Sequence, residues 1–145
     1  AMPEHLESGT PNLAGIAGLR AGIQFVQTKT VKRIYLHEMK LIQTLYHGLK
    51  QMNGVKLYTQ EPDMMHYAPV LSFNLEGKQS EWVGQKLNSM GIAVRAGLHC
   101  APAAHRTMDT LEGGAVRVSP SAFTKEYEIK RFLQSVSHMT KNLEI

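Results

Sequence analysis

What most constrains this chain is the order in which its hydrophobic period switches between that of a helix and that of a strand. Ile16, Leu19, Ile23 and Val26 recur at helical spacing, and after a β-branched interval at residues 28–31 the pattern resumes through Ile34, Leu41, Ile42, Leu45, Leu49 and Met52. The spacing predicts one long helix, or two with a bend near residues 28–30, stopped by Asn53-Gly54. Residues 55–59 alternate as a short strand, and Leu71, Phe73 and Leu75 alternate with Ser72, Asn74 and Glu76 as a half-buried one. Ser80 reads as the cap of a helix with Trp82, Val83, Leu87 and Met90 on one face and Gly91 at its end. Residues 92–95 and 115–119 read as two further strands around a loop containing Cys100. Thr124 reads as the cap of a last helix with Ile129, Phe132, Leu133, Val136 and Met139 as its buried stripe. This order implies an α+β, two-layer fold: a small, mainly antiparallel sheet with helices on one face, preceded by a long helix. Residues 1–14 are polar and turn-prone and stand apart from 15–145.

Composition narrows the class. A chain of 145 residues that is 43% hydrophobic and 19% charged has about one domain's worth of polypeptide and can bury a real core. Sixteen Lys plus Arg against twelve Asp plus Glu gives a net charge of +4, dispersed along the chain. Without basic–aromatic interleaving this speaks against nucleic acid as a partner. No run approaches the roughly 18 apolar residues of a membrane span, and the N-terminus lacks the basic and apolar regions of a signal peptide. A cytoplasmic location is the expectation. Cys100 is the sole cysteine, which excludes an intramolecular disulfide and leaves an inert packing residue or a reactive thiol.

Strand parity gives the thiol its neighbours. Val94, Val116 and Val118 share one parity, Arg95 and Arg117 the other. If the valines face the helices, both guanidiniums emerge on the opposite side of the sheet, near the loop carrying Cys100. Two arginines there would grip a carboxylate through paired hydrogen bonds and favour the thiolate over the thiol. His99, Cys100 and His105 are residue types that bind zinc, but adjacent His-Cys is awkward for chelating one ion and no fourth ligand is evident, so no metal is expected.

Three segments carry a resemblance. Glu7-Ser8-Gly9-Thr10-Pro11-Asn12, followed by Gly15-Ile16-Ala17-Gly18-Leu19 and Ala21-Gly22, resembles the E-x-G-T-P-N…G-I-x-G-L-x-A-G stretch of the class V aminotransferase superfamily. Arg95-Ala96-Gly97-Leu98-His99-Cys100-Ala101-Pro102 resembles the R-x-G-x-H-C-A segment of its cysteine desulfurase branch. Gly114-Ala115-Val116-Arg117-Val118-Ser119 resembles its G-x-x-R-x-S element, after which Phe123-Thr124 opens the last helix. Together they imply the C-terminal portion, with the small domain, of a fold type I enzyme dependent on pyridoxal 5′-phosphate (PLP).

The resemblance implies roles as well. Cys100 would take sulfur from free L-cysteine as a persulfide, releasing L-alanine, with His99 activating the thiol or shaping its loop. Arg117 would bind the substrate α-carboxylate and Arg95 would join the anionic pocket. Thr10, in a turn kept compact by Gly9, would reach the cofactor phosphate of the opposite subunit in a homodimer, and a sulfur-acceptor protein would collect the product. The lysine that holds PLP in this family lies in an S-x-H-K-type segment upstream of the G-T-P motif. Lys29, Lys32, Lys40 and Lys50 lack that context. The chain alone is therefore expected to be inactive, and a piece of a larger enzyme should leave apolar surface uncovered. Selenocysteine lyase or another class V aminotransferase remains an alternative, and a stand-alone protein-interaction module is the alternative from another class.

Overall fold

The computed structural model of the chain describes residues 2, 4–6 and 9–141, so Glu7 and Ser8 of the first motif lie outside the described residues. The chain divides into two compact units, Ala1–Ile34 and Tyr35–Ile145.

In the first unit Asn12 caps α1 (Leu13–Lys29), its Oδ1 accepting from the Gly15 N–H at 2.9 Å. A Cβ on Gly15 would come within 2.6 Å of the Asn12 side chain, so this cap needs a glycine three residues on. The helical period breaks at Thr30, which takes φ 66° and ψ 137°, a conformation costly for a β-branched residue. Thr30 ends one helix and starts another: its N–H donates to Val26 O at 2.8 Å, and its Oγ1 accepts from the Arg33 N–H at 3.3 Å at the start of α2 (Val31–Lys50). Of the two readings the sequence left open, the chain adopts two helices. No residue of α1 is buried; Ile16, Leu19, Ile23 and Val26 are all exposed.

The second unit contains α2 from Tyr35 onward, β1 (Val55–Leu57), β2 (Leu71–Leu75), α3 (Ser80–Ser89), β3 (Arg95–Gly97), α4 (Pro102–Thr107), β4 (Ala115–Val118) and α5 (Glu126–Lys141). The four strands form one antiparallel sheet in the order β1-β2-β4-β3, which seats the last strand between its two predecessors. Leu71, Phe73, Leu75, Val116 and Val118 face a core shared with Leu41, Ile42, Leu45 and Leu49 of α2, Val83 and Leu87 of α3, and Ile129, Phe132, Val136 and Met139 of α5. Phe73 meets Phe132 edge-on, with ring centroids 5.9 Å apart.

Local signals shift by a residue or two. The helix α3 begins at Ser80 with Gln79 at the cap position, and the buried Ser80 hydroxyl bonds Glu81 Oε2 instead of capping. Thr124 is likewise not the cap of α5: its Oγ1 accepts from the Ser121 N–H, while Glu128 reaches back to the Lys125 N–H at 2.8 Å. Trp82, expected in the core, is 37% exposed between the ammonium groups of Lys78 and Lys86. Trp82 and Leu87 are five residues apart, about 140° around a helix, so they cannot share a buried stripe. The third strand starts at Arg95, where the expected one ended.

Gly114 lets β4 enter the sheet. It takes φ 61°, and a Cβ there would lie 2.7 Å from both Gly97 Cα and Ser80 Oγ. Gly114→Ala should destabilise the unit by at least about 2 kcal/mol in urea unfolding, from overpacking added to a left-handed backbone.

Candidate active site

Register settles where the arginines go. Arg95 stands directly opposite Arg117 across the β3–β4 pair, and Ser72 stands opposite Arg117 across β2–β4. Because Val116 and Val118 are buried in the core, Arg95 and Arg117 project from the other face. Like charges in directly opposed positions repel. Among the described residues neither guanidinium forms an ion pair. Two cations held side by side without a carboxylate form a site that favours an anion.

The thiol lies at the tip of a tight turn. Ala101 N–H donates to Leu98 O at 2.9 Å, and both central residues have positive φ, 52° at His99 and 59° at Cys100, as in a type I′ turn. Left-handed backbone at two non-glycine residues is costly and holds only where other contacts enforce it. Cys100 is exposed there, immediately before α4.

His99 supplies one such contact. Its Nε2 lies 3.0 Å from Ala115 O, and since a carbonyl only accepts, Nε2 carries the proton. Burial holds the His99 pKa below the ordinary imidazole value; the Ala115 hydrogen bond opposes this, and the charges of Arg117, His105 and Arg95 add to the lowering. Neutral His99 thus ties the Cys100 turn to β4.

The sequence reading missed the second contact. Residues 102–107 form α4, and buried His105 shares a 2.7 Å hydrogen bond through Nδ1 with the hydroxyl of buried Thr110. Thr110 N–H donates to His105 O at 2.8 Å, Gly114 N–H to Thr110 O at 2.8 Å, and Asn74 Nδ2 to Gly114 O at 2.8 Å. This chain of bonds closes the base of the Cys100 loop onto β2. The available signal was Pro102, a residue suited to the first helical position, followed by two alanines. Between α4 and the sheet's polar face lies a cavity of about 190 Å³ lined by Tyr58, Ser72, His99, His105 and Ala115 among others.

Gly9 and Thr10 belong to the N-terminal unit, where both are exposed just ahead of Asn12. A Cβ on Gly9 would meet nothing within 4 Å, so no crowding demands glycine there.

The family model of class-V aminotransferases matches residues 1–132. This chain belongs to the class-V aminotransferase family. It is 32% identical over 135 residues to a probable cysteine desulfurase of Synechocystis sp., covering 93% of this chain and 32% of that protein. It is 45% identical over 102 residues to a cysteine desulfurase of Synechococcus elongatus, covering 68% of this chain and 15% of that protein. The apo structure of a cysteine desulfurase from Thermococcus onnurineus superposes with a TM-score of 0.86 at 32% identity, covering 97% of this chain and 34% of that one. The chain thus spans about a third or less of the length of these relatives. Among the described residues no helix is long and apolar enough to cross a membrane.

A depressed His99 pKa ties stability to pH. The unfolded chain takes up a proton near pH 6.5, whereas folded His99 resists it. Stability should be complete above that value and decline as pH falls below it, and His99→Gln should flatten this limb. Imidazole NMR titration should place the His99 midpoint below the ordinary value and move it up in Arg117→Gln.

Proposed function

We propose that this chain is the acceptor-thiol and carboxylate-binding part of a PLP-dependent cysteine desulfurase that converts L-cysteine to L-alanine and leaves the sulfur on Cys100. The observation that carries this reading is the unpaired, register-matched couple Arg95–Arg117. Arg117, partly buried, presents a planar fork to the substrate α-carboxylate, and the exposed Arg95 raises the local positive potential. Cys100, exposed on its turn, attacks the substrate sulfur as thiolate. An S–S bond forms, the substrate Cβ–S bond breaks with its electron pair passing to the carbon skeleton, and protonation there yields alanine. PLP supplies the electron sink for that pair when bound.

The described residues fit the amino-acid end of such a site better than the cofactor itself. Exposed Thr10 can offer its hydroxyl to a phosphate, in the family manner from one subunit of a homodimer to the other. The lysines with defined neighbours are turned elsewhere: Lys40 to Glu126, Lys50 to Glu61, Lys56 to Tyr58, Lys78 and Lys86 to Trp82. We therefore assign covalent attachment of PLP to none of these five lysines. The exposed apolar stripe of α1 supports its belonging to a larger assembly. A lone exposed thiol suits the reducing cytoplasm and delivery of sulfur to an acceptor protein.

The test uses the full-length protein that contains this chain and a Schiff-base lysine. It should release alanine from L-cysteine, Cys100→Ser should reduce that release at least about a hundredfold, and Arg117→Lys should raise KM about tenfold or more. The isolated chain should show no turnover. Unchanged alanine release in Cys100→Ser would refute the persulfide role, and selenocysteine turnover that persists in that variant while cysteine turnover is negligible in the wild type would reassign the protein as a selenocysteine lyase.

A further inference from the structure

Among the described residues five buried side-chain atoms lack hydrogen-bond partners, Thr59 Oγ1, Tyr67 OH, Asn74 Oδ1, His99 Nδ1 and Arg117 Nε, and the last two, both on the segment that carries the thiol and the arginine, have complementary chemistries. His99 Nδ1 and Arg117 Nε are both closed off from solvent, and neither is hydrogen-bonded. With the His99 proton committed through Nε2 to Ala115 O, Nδ1 presents a bare lone pair. Arg117 Nε always carries a hydrogen. One is an acceptor without a donor and the other a donor without an acceptor.

The fold brings the two residues to one place. The His99 ring is tied to Ala115, and Arg117 stands two positions along β4, so its side chain leaves the sheet on the same face as that of Ala115. The charge of Arg117 is also among those acting on the His99 ring. Buried donors and acceptors find partners in nearly all native structures, and here each lacks what the other supplies.

We propose that His99 is a positioning residue for Arg117: its Nδ1 accepts the Arg117 Nε–H, orienting the guanidinium so that its two terminal nitrogens face the bound carboxylate. The contact forms by side-chain adjustment within the cluster, while Nε2 keeps its bond to Ala115. His99 would then act through Arg117 and not as the base of its neighbour Cys100. The turn that presents the thiol and the arginine that grips the substrate would move as one body, so that a bound carboxylate favours the placement of the turn. The functional meaning rests on the reading of Arg117 as the carboxylate ligand; the contact itself does not.

The test is NMR of the uniformly ¹⁵N,¹³C-labelled chain above pH 7, with and without sodium acetate as the carboxylate probe. The expected result is a scalar coupling across the hydrogen bond between Arg117 Nε and His99 Nδ1, with Nδ1 displaced from the position of a bare ring nitrogen. His99→Asn places an oxygen where Nδ1 was and should keep Arg117 Nε–H exchange slow. His99→Gln can still reach Ala115 O but has no acceptor at the Nδ1 position, and should speed that exchange by about fivefold or more. A bare Nδ1 without coupling in the wild type, with and without acetate, would overturn the proposal, as would equal exchange rates in the two variants. Such a failure would leave the desulfurase reading standing, whereas failure of the Cys100→Ser assay would leave the coupling in place.

Discussion

The site depends on the antiparallel pairing of β3 with β4, because this pairing opposes two arginines that would otherwise repel each other apart. The cost is met on the far side of the sheet, where Val116 and Val118 lock β4 into the core shared with α2, α3 and α5. A one-residue slip would put Arg117 into that core and a valine onto the face that Arg95 and Arg117 share. The register is therefore held by hydrophobic burial, and the polar face inherits its geometry from the apolar one.

Around that pairing the polar groups form a closure. Asn74 holds Gly114, Gly114 holds Thr110, Thr110 holds His105, and His99 holds Ala115. The consequence is local. The loop between β3 and β4 can carry an exposed thiol on a left-handed two-residue turn because both its ends are fixed. A thiol that is to react needs exposure, while the residues that hold its loop need packing. The 98–115 segment combines the two by placing Cys100 at the exposed tip, beside a partly buried His99 whose ring is tied to Ala115, with buried His105 at the base.

Much of this was legible from residue order. The alternation Leu71-Ser72-Phe73-Asn74-Leu75 and the parity of the valines against the arginines appear in the fold as read, and so does the stripe Ile129–Phe132–Val136–Met139 with Leu133 only partly buried beside it, because each reports a periodicity that burial enforces. The motif around Cys100 and Arg117 marked the candidate site. Less legible were features that depend on a partner remote in sequence. Ser80 and Thr124 have capping chemistry, yet backbone contacts elsewhere, Gly113 O with Ser80 N and Ser121 N with the Thr124 hydroxyl, shift the helix starts. Trp82 has the composition of a core residue, but its angle on α3 turns it outward.

The sequence by itself determined which side chains share a face, since strand parity and helical spacing follow from backbone geometry alone. It also determined the chemistry on offer: one thiol, two guanidiniums and an imidazole beside the thiol. Only the tertiary structure decided that Arg95 meets Arg117, that His105 closes onto Thr110, and that His99 keeps its proton on Nε2. Those are choices among partners many residues apart, made when the burial of one face of a sheet fixes the register and leaves the groups on the other face with the neighbours that register provides.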